Sequence, residues 1–270
     1  MKDKNFELIL EAIRNNLSSI KHRLLVISGK GGVGKTTVSV ILATNLLRRN
    51  YKVGILDADV CGPNIAKMLG KKERLEAVDS KIKPLEVVPN LKIVSMALVL
   101  DNEAQPVIWR GPLRTTLIRQ FLADTLWEDL DFLIIDAPPG TGDEPLSVAQ
   151  FIPDISGAII VTTPQEVALL DVKKAISFAK ELKIPVIGII ENMSSLICPW
   201  CGRKIELFGK GGGEKLARDF NLVFLGRIPF TPSLVKSSDE GKLLNFKEDE
   251  TKIGEILEKI LNFLENENIS

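Results

Sequence analysis

The residues best able to do chemistry begin with one stretch, Gly29-Lys30-Gly31-Gly32-Val33-Gly34-Lys35-Thr36. It fits the phosphate-cradling pattern G-x-x-x-x-G-K-S/T. Glycines let the chain turn tightly and bring backbone N–H groups against phosphate oxygens. A helix starting at that point adds partial positive charge where an anion sits. Lys35 supplies a full charge to the outer phosphates, and the Thr36 hydroxyl is suited to ligate Mg²⁺. Two carboxylate segments fit the same chemistry. Asp57-Ala58-Asp59 closes a strand-like run; its two carboxylates share a face if the strand continues, one to hold water around Mg²⁺ and one to orient the attacking water. Asp136 closes the apolar run Phe132-Leu133-Ile134-Ile135 and reads as a Walker B acid binding Mg²⁺ through water. Ala137-Pro138-Pro139-Gly140-Thr141-Gly142-Asp143 then forms a turn able to sense a γ-phosphate. A glycine-rich turn or a solvated strand end could explain any one of these segments alone. Together they point to nucleoside triphosphate chemistry.

A second constellation is Cys198-Pro199-Trp200-Cys201-Gly202. Thiols at C-x-x-C spacing can chelate one metal, and Gly202 permits the tight turn around it. Structural zinc and Fe–S clusters want about four ligands, whereas this stretch offers a pair. The third cysteine, Cys61, sits in the Asp57–Asn64 segment, and there is no second C-x-x-C. The simplest completion is the same pair from a second subunit on a two-fold axis. A redox dithiol and a pair of spare thiols remain open alternatives.

These groups need strands that end on them and helices that back them. Arg23–Ser28 is an apolar run of strand length before the glycines, and Thr36–Arg49 carries apolar residues at helical spacing after them. Strands are predicted over 51–56, 131–136, 157–162, 186–190 and 222–226, with helices over 6–20, 113–127 and 167–182. The strand over 186–190 is expected to end in Glu191-Asn192-Met193-Ser194. Gly209–Gly213 lacks a Lys-Thr ending and reads as a loop leading into a helix. Ile253, Ile256, Leu257, Ile260, Leu261 and Leu264 form a core-packing stripe on a last helix whose other face is acidic. His22, the only histidine, reads as an ordinary loop residue. Residues 71–108 suggest short strands with no assignable role. Strands alternating with helices predict a doubly wound, mostly parallel α/β fold. The expected division is a helical extension over 1–22 and an ATPase domain over 23–270 with the C-x-x-C segment embedded in it.

Composition narrows the partners. The 270 residues are 45% hydrophobic, enough for a substantial core in one α/β domain or two. Lys plus Arg and Asp plus Glu are both 35, so nothing suggests nucleic acid as a bulk electrostatic partner. No run of 18 apolar residues is present, and the start of the chain is mixed rather than apolar. No membrane partner and a cytoplasmic location are therefore expected, with cysteines as thiols or metal ligands rather than disulfides.

Lys30 makes the glycine loop resemble the deviant Walker A of the MinD/ParA/nitrogenase-iron-protein class. In that class the signature lysine reaches across a dimer to the partner's nucleotide, and an Asn at the position of Asn192 pairs with the adenine edge. GKGGVGKTT, DADVCGPN, DAPPGTGD and CPWCG together resemble the Mrp/Nbp (ApbC) group of P-loop ATPases, over about residues 22–242. That resemblance implies a homodimer holding a [4Fe-4S] cluster between two C-x-x-C pairs and delivering it to apo iron–sulfur proteins. It implies ATP and Mg²⁺ at Gly29–Thr37, with Thr37 closing the loop. Asp59 would be the water-orienting switch residue, Asp136 the Walker B acid, and Cys198 and Cys201 the cluster ligands, with Zn²⁺ possible in the same site. Pro229 joins Asn192 as an expected nucleotide contact. Cys61 is not a ligand in the family pattern, and Trp200 stands where the family often has Asn. A MinD/ParA-like positioning ATPase is the rival expectation. It would need a basic amphipathic tail.

Overall fold

The computed structural model describes residues 2–99, 111–198, 200–247 and 251–267. Trp109, Arg110, Pro199 and the end of the 71–108 segment lie outside the described residues. The chain opens with α1 (Lys2–Leu17), β1 (His22–Ile27), α2 (Lys35–Arg48), β2 (Val53–Asp57) and α3 (Ile65–Met68). There follow β3 (Glu76–Val78), β4 (Lys81–Lys83), β5 (Leu85–Val88), β6 (Leu91–Ser95) and α4 (Gly111–Asp124). The middle is β7 (Phe132–Asp136), α5 (Asp143–Phe151), β8 (Gly157–Thr162), α6 (Glu166–Glu181) and β9 (Val186–Ile197). The last elements are β10 (Lys204–Ile205), α7 (Gly212–Asp219), β11 (Phe224–Phe230), α8 (Pro232–Asp239) and α9 (Ile253–Glu267).

Among the described residues, nine strands form one sheet in the order β10-β9-β8-β1-β7-β2-β6-β5, with β11 also paired to β9. The central pairings are parallel, and β5 and β10 add antiparallel edges. β2, β7 and β8 are buried along their whole lengths. This is why they read as unbroken apolar runs: a parallel sheet covered on both faces has no solvent side to mark with polar residues. One face packs on α2, α3 and α9 through residues such as Val38, Leu42, Ile256 and Ile260. The other packs on α1, α4, α5 and α6 through Ile13, Phe121, Val148 and Ile176. The doubly wound, mostly parallel α/β expectation is what the structure shows.

Local differences have physical causes. The 71–108 segment contributes a hairpin, β3–β4, whose turn residues Asp79 and Ser80 both have positive φ, 48° and 63°. That is the two-residue turn that suits the strand twist. It also contributes β6, a core strand running parallel to β2. The strand expected over 186–190 does not stop there. It runs to Ile197, because β11 pairs with it through Leu196 and β10 pairs with Leu196 and Ile197. β11 lies later than expected, since Leu222 and Val223 form the approach to it. α1 buries Ile13 and Leu17 completely. The Asn16 amide donates to the Leu122 and Thr125 carbonyls at 2.7 and 2.9 Å.

His22 is a strand residue rather than a loop residue. It opens β1 and stacks on Phe132 with ring centroids 5.1 Å apart. Burial, and secondarily the charge of Lys21, hold its imidazolium below the usual histidine range. The unfolded chain therefore takes up a proton near the ordinary histidine pKa, whereas the folded chain takes it up only at lower pH. Stability from this group is intact above that range and lost as pH falls through the folded pKa. His22→Phe should keep the stack and show a smaller drop in melting temperature from pH 7 to pH 5 than the parent. An equal drop would mean that His22 does not set this slope.

Candidate nucleotide and thiol sites

The glycine loop sits between β1 and α2 at the C-terminal edge of the parallel sheet, where open α/β sheets form their ligand crevice. Two of its glycines are required by contacts. A Cβ on Gly29 would stand 2.2 Å from the Asp171 backbone, so α6 can approach the loop only at a residue without a side chain. Gly34 has φ +80° and precedes the first residue of α2; a Cβ there would meet the Asn192 Nδ2 at 2.3 Å. Gly31 and Gly32 are exposed, and a Cβ on Gly32 would meet nothing within 4 Å, so the loop's rim faces open space.

β7 and β2 end at the same level, since Asp57 and Asp136 are register partners. Both carboxylates are buried, at 1% and 0% exposure. Asp136 is held from α2: Lys35 Nζ lies 2.7 Å from Oδ1, the Ser39 hydroxyl donates to Oδ1 at 2.7 Å, and the Thr36 hydroxyl donates to Oδ2 at 2.7 Å. Asp57 has less support. Its Oδ2 accepts the Ser95 hydroxyl at 2.9 Å and the Ile65 N–H at 3.4 Å, while Oδ1 is buried with no hydrogen-bond partner. Burial first, then the neighbouring Asp136 charge, push Asp57 up to about 8 against the opposing pull of Ser95, Lys35 and the Ile65 N–H. An orphaned buried carboxylate oxygen beside a second carboxylate and a hydroxyl is a donor set that suits a hard divalent cation. The residues present therefore fit Mg²⁺.

Asp59 does not share this face. The strand stops at Asp57, and the Asp59 Oδ1 accepts the Cys61 and Gly62 N–H groups at 3.3 and 3.1 Å, capping a turn. It is half-buried at the crevice rim. The Lys30 ammonium donates to the Gln165 side chain at 3.4 Å. Thr37 is half-buried in the first turn of α2. Asn192 lies behind the loop and donates to the Val33 carbonyl at 2.8 Å. Pro229 is in β11, next to Ile228, the register partner of Asn192.

The cysteine pair follows the strand that carries Asn192. β9 runs directly into Cys198, and β9 with β10 forms a hairpin whose tip holds Cys198 and Cys201. The Cys198 N–H donates to the Arg203 carbonyl, and the Gly202 N–H to the Cys198 carbonyl, both at 2.9 Å. Gly202 takes the left-handed conformation, φ 68°, that this turn needs. The Cys201 and Trp200 N–H groups, with the Cys201 thiol, hydrogen-bond the Cys198 sulfur and hold its thiol below the usual cysteine value. Around Cys61 the balance is opposite: burial pushes its thiol up, Arg114 opposes this, and Glu144 and Asp59 add to it. Of these two thiols, Cys198 is thus the one prepared for thiolate ligation. Trp200 is 92% exposed, and Ile197, Ile205 and Leu207 beside it are exposed too. Among the described residues, no three His, Cys, Asp or Glu side chains converge on one metal position.

Three supporting residues escaped the sequence reading. Ser39 follows Lys35 by four positions, so helical spacing could have flagged it. Ser95 reaches Asp57 only because β6 pairs with β2 in that register. Gln165 meets Lys30 only through the fold.

A phosphate loop followed by a helix, two strand-end carboxylates and a doubly wound sheet define a P-loop NTPase. The comparisons make this narrower. The family profile described as ParA: NUBPL iron-transfer P-loop NTPase matches residues 19–265, and the chain belongs to that family. An iron-sulfur cluster carrier protein of Methanocaldococcus jannaschii is 54% identical over 230 residues, 85% of this chain and 79% of the relative. One from Pyrococcus horikoshii is 47% identical over 268 residues, 94% of this chain and 90% of the relative. Among solved structures, a nucleotide-binding protein from Archaeoglobus fulgidus in complex with ADP superposes with TM-score 0.78 at 38% identity, covering 89% of this chain and 95% of that one. The Pyrococcus furiosus cell division ATPase MinD, at 22% identity and TM-score 0.65, covers 92% of this chain and 99% of its own and shares the fold.

The Ser39 bond to Asp136 is testable by itself. Ser39→Ala removes one donor from a fully buried carboxylate, a loss of about 1–3 kcal/mol in unfolding free energy. Urea unfolding measures it, and an unchanged midpoint would show that the bond contributes nothing.

Proposed function

We propose that this chain binds and slowly hydrolyses MgATP, and that as a homodimer it carries a [4Fe-4S] cluster for delivery to apo iron–sulfur proteins. The observation that carries this reading is the pairing of a buried Lys35–Asp136–Asp57 cluster with a thiol pair at a hairpin tip, Cys198 half-buried and Cys201 exposed, in one continuous fold. The names of the archaeal relatives support the cargo, and the ADP complex of the Archaeoglobus protein supports the nucleotide. Residues 23–270 form the ATPase unit in this reading, with 1–22 as a helical extension docked on it.

Each residue then has a role that its position allows. Gly29 to Thr37 cradle the phosphates with backbone N–H groups, and Lys35 neutralises charge that develops on the outer ones. Thr36, Asp57 and Asp136 hold Mg²⁺ directly or through water, and the ion supplies charge neutralisation at the phosphates. Asp59, at the rim, orients the attacking water. Lys30 reaches the partner subunit's nucleotide. Asn192 and Pro229 lie against the base. Cys198 and Cys201 supply two thiolates, and the same pair of a second subunit supplies two more, which meets the four-ligand need of a cluster. A membrane-positioning role leaves the C-x-x-C unexplained. No described helix is long and apolar enough to cross a membrane.

Lys35→Ala and Asp136→Ala should each abolish ATP hydrolysis, measured as phosphate release, because both act on charge developing at the phosphates. Parent-like turnover in either would refute the site assignment. Lys30→Ala should still bind ATP but hydrolyse it more slowly.

Metal analysis tests the thiol site. Anaerobically reconstituted protein should carry about two irons per chain with matching sulfide, whereas a shared zinc would give about half a zinc per chain. Cys198→Ala and Cys201→Ala should lose the metal and weaken the dimer seen by light scattering, and Cys61→Ala should keep both. A full cluster on a monomer, or loss of metal only with Cys61→Ala, would rule out the shared site.

A further inference from the structure

Asn192 and Met193 touch the phosphate loop and also lead into the thiol hairpin. The Asn192 amide donates to the Val33 carbonyl at 2.8 Å. A Cβ on Gly34 would lie 2.3 Å from the Asn192 Nδ2 and 3.4 Å from the Met193 Cε, so both side chains rest on the last turn of the loop. From there β9 continues to Ile197, and Cys198 follows at once. The distance along the strand from Asn192 to Cys198 is at most about 20 Å at the usual rise per residue.

The strand changes its register between those two ends. Asn192 pairs with Ile228 and the next pair is Leu196 with Phe230, so four residues of β9 advance against two of β11. Met193 lies inside this irregularity with φ 55°, a left-handed conformation that a residue with a side chain adopts only at a cost. The Ser194 hydroxyl donates to the Ile228 carbonyl at 3.2 Å. The base of the bulge is fixed by the fully buried Glu191, which accepts Arg227 at 3.1 Å and the Gly213 N–H at 2.8 Å. The bulge is therefore a strained joint between a clamped half-strand and the hairpin that carries the thiols.

The Val33 carbonyl and the Gly34 N–H belong to one peptide unit, which is planar and turns as a unit. Phosphate binding acts on the N–H side of such units, and Asn192 holds the carbonyl side of this one. We propose that Asn192 and Met193 are positioning residues that couple the phosphate loop to the C-x-x-C hairpin. Nucleotide binding at Gly34 alters the Asn192 and Met193 contacts, shifts the register of Ser194–Ile197, and changes the exposure of Cys198 and Cys201. The inference rests on the nucleotide reading of the glycine loop and adds the physical route from that loop to the thiols.

The test uses full-length, metal-free, reduced protein carrying Cys61→Ser, so that only Cys198 and Cys201 react with Ellman's reagent. Thiol reaction rates are measured with and without MgADP, and MgADP affinity is measured by calorimetry. In this parent, nucleotide should change the thiol rate by about fivefold or more, the lower range of ordinary site-to-site coupling. Met193→Gly takes the left-handed conformation freely and loses the contact to Gly34. It should bind MgADP within about threefold of the parent, less than the coupling itself, yet lose the thiol response. Met193→Leu, which keeps a side chain on Gly34, should retain it, and Asn192→Ala, read at MgADP concentrations that saturate it, should lose it. Should Met193→Gly not fold, Met193→Ala against the parent at saturating MgADP decides. A parent that binds MgADP with no thiol response, or a Met193→Gly, Met193→Ala or Asn192→Ala protein that binds MgADP and responds like the parent, would overturn the coupling and leave the nucleotide reading intact. A parent that does not bind MgADP would overturn both.

Discussion

Two carboxylates buried side by side govern the architecture. Asp57 and Asp136 end adjacent parallel strands at one level, with almost no exposure to water. Burying such groups unpaired would cost several kcal/mol each. Asp136 is compensated by Lys35, Thr36 and Ser39, which requires α2 to begin immediately after Gly34 and to point its first turn at β7. Asp57 is compensated by the Ser95 hydroxyl, which requires β6 to lie beside β2 in register. The central strand order β1-β7-β2-β6 and the start of α2 are thus tied to one electrostatic problem. It is the problem that a bound cation with phosphates would also solve.

The thiol hairpin is built by the opposite principle. In the crevice Lys35, Asp57 and Asp136 are buried, and Lys35 and Asp136 are fixed by an ion pair and hydrogen bonds. The hairpin exposes Trp200 at its tip and the aliphatic side chains of Ile197 and Ile205. Its order comes from backbone bonds across the β9–β10 turn and from the N–H groups aimed at the Cys198 sulfur. Such a tip has few buried contacts of its own, so it belongs to the less stable, more readily displaced part of the molecule. It is joined to the rigid sheet by a strand that carries its irregularity at Met193.

The comparison with MinD shows how little of this the fold alone decides. That protein superposes over 92% of this chain at 22% identity, and a shared fold does not fix a shared output. The M. jannaschii carrier, at 54% identity, places this chain much nearer the iron-transfer branch. In this chain the feature that lies outside the nucleotide scaffold is the hairpin beyond β9 with its pair of thiols.

The sequence alone was enough to read the parallel α/β class, the glycine loop, Asp136 and the C-x-x-C, because each is written in contiguous residues. Strands buried on both faces leave apolar runs, and a phosphate loop must be local because its N–H groups converge within one turn. The strand end at Asp57 was less legible: Asp57 and Asp59 are two residues apart in sequence, yet the strand stops at Asp57 and the Asp59 carboxylate caps the turn that follows. Tertiary structure alone decided what depends on register between distant strands. It put Ser95 on Asp57, Asp57 beside Asp136, and Asn192 against the Val33 carbonyl. It also carried β9 past Asn192 to the cysteines, since pairing with β11 and β10 outweighs the turn-like look of Glu191-Asn192-Met193-Ser194. Hydrogen bonds between strands are not encoded in either strand's own composition, so these placements could be seen only once the sheet was assembled.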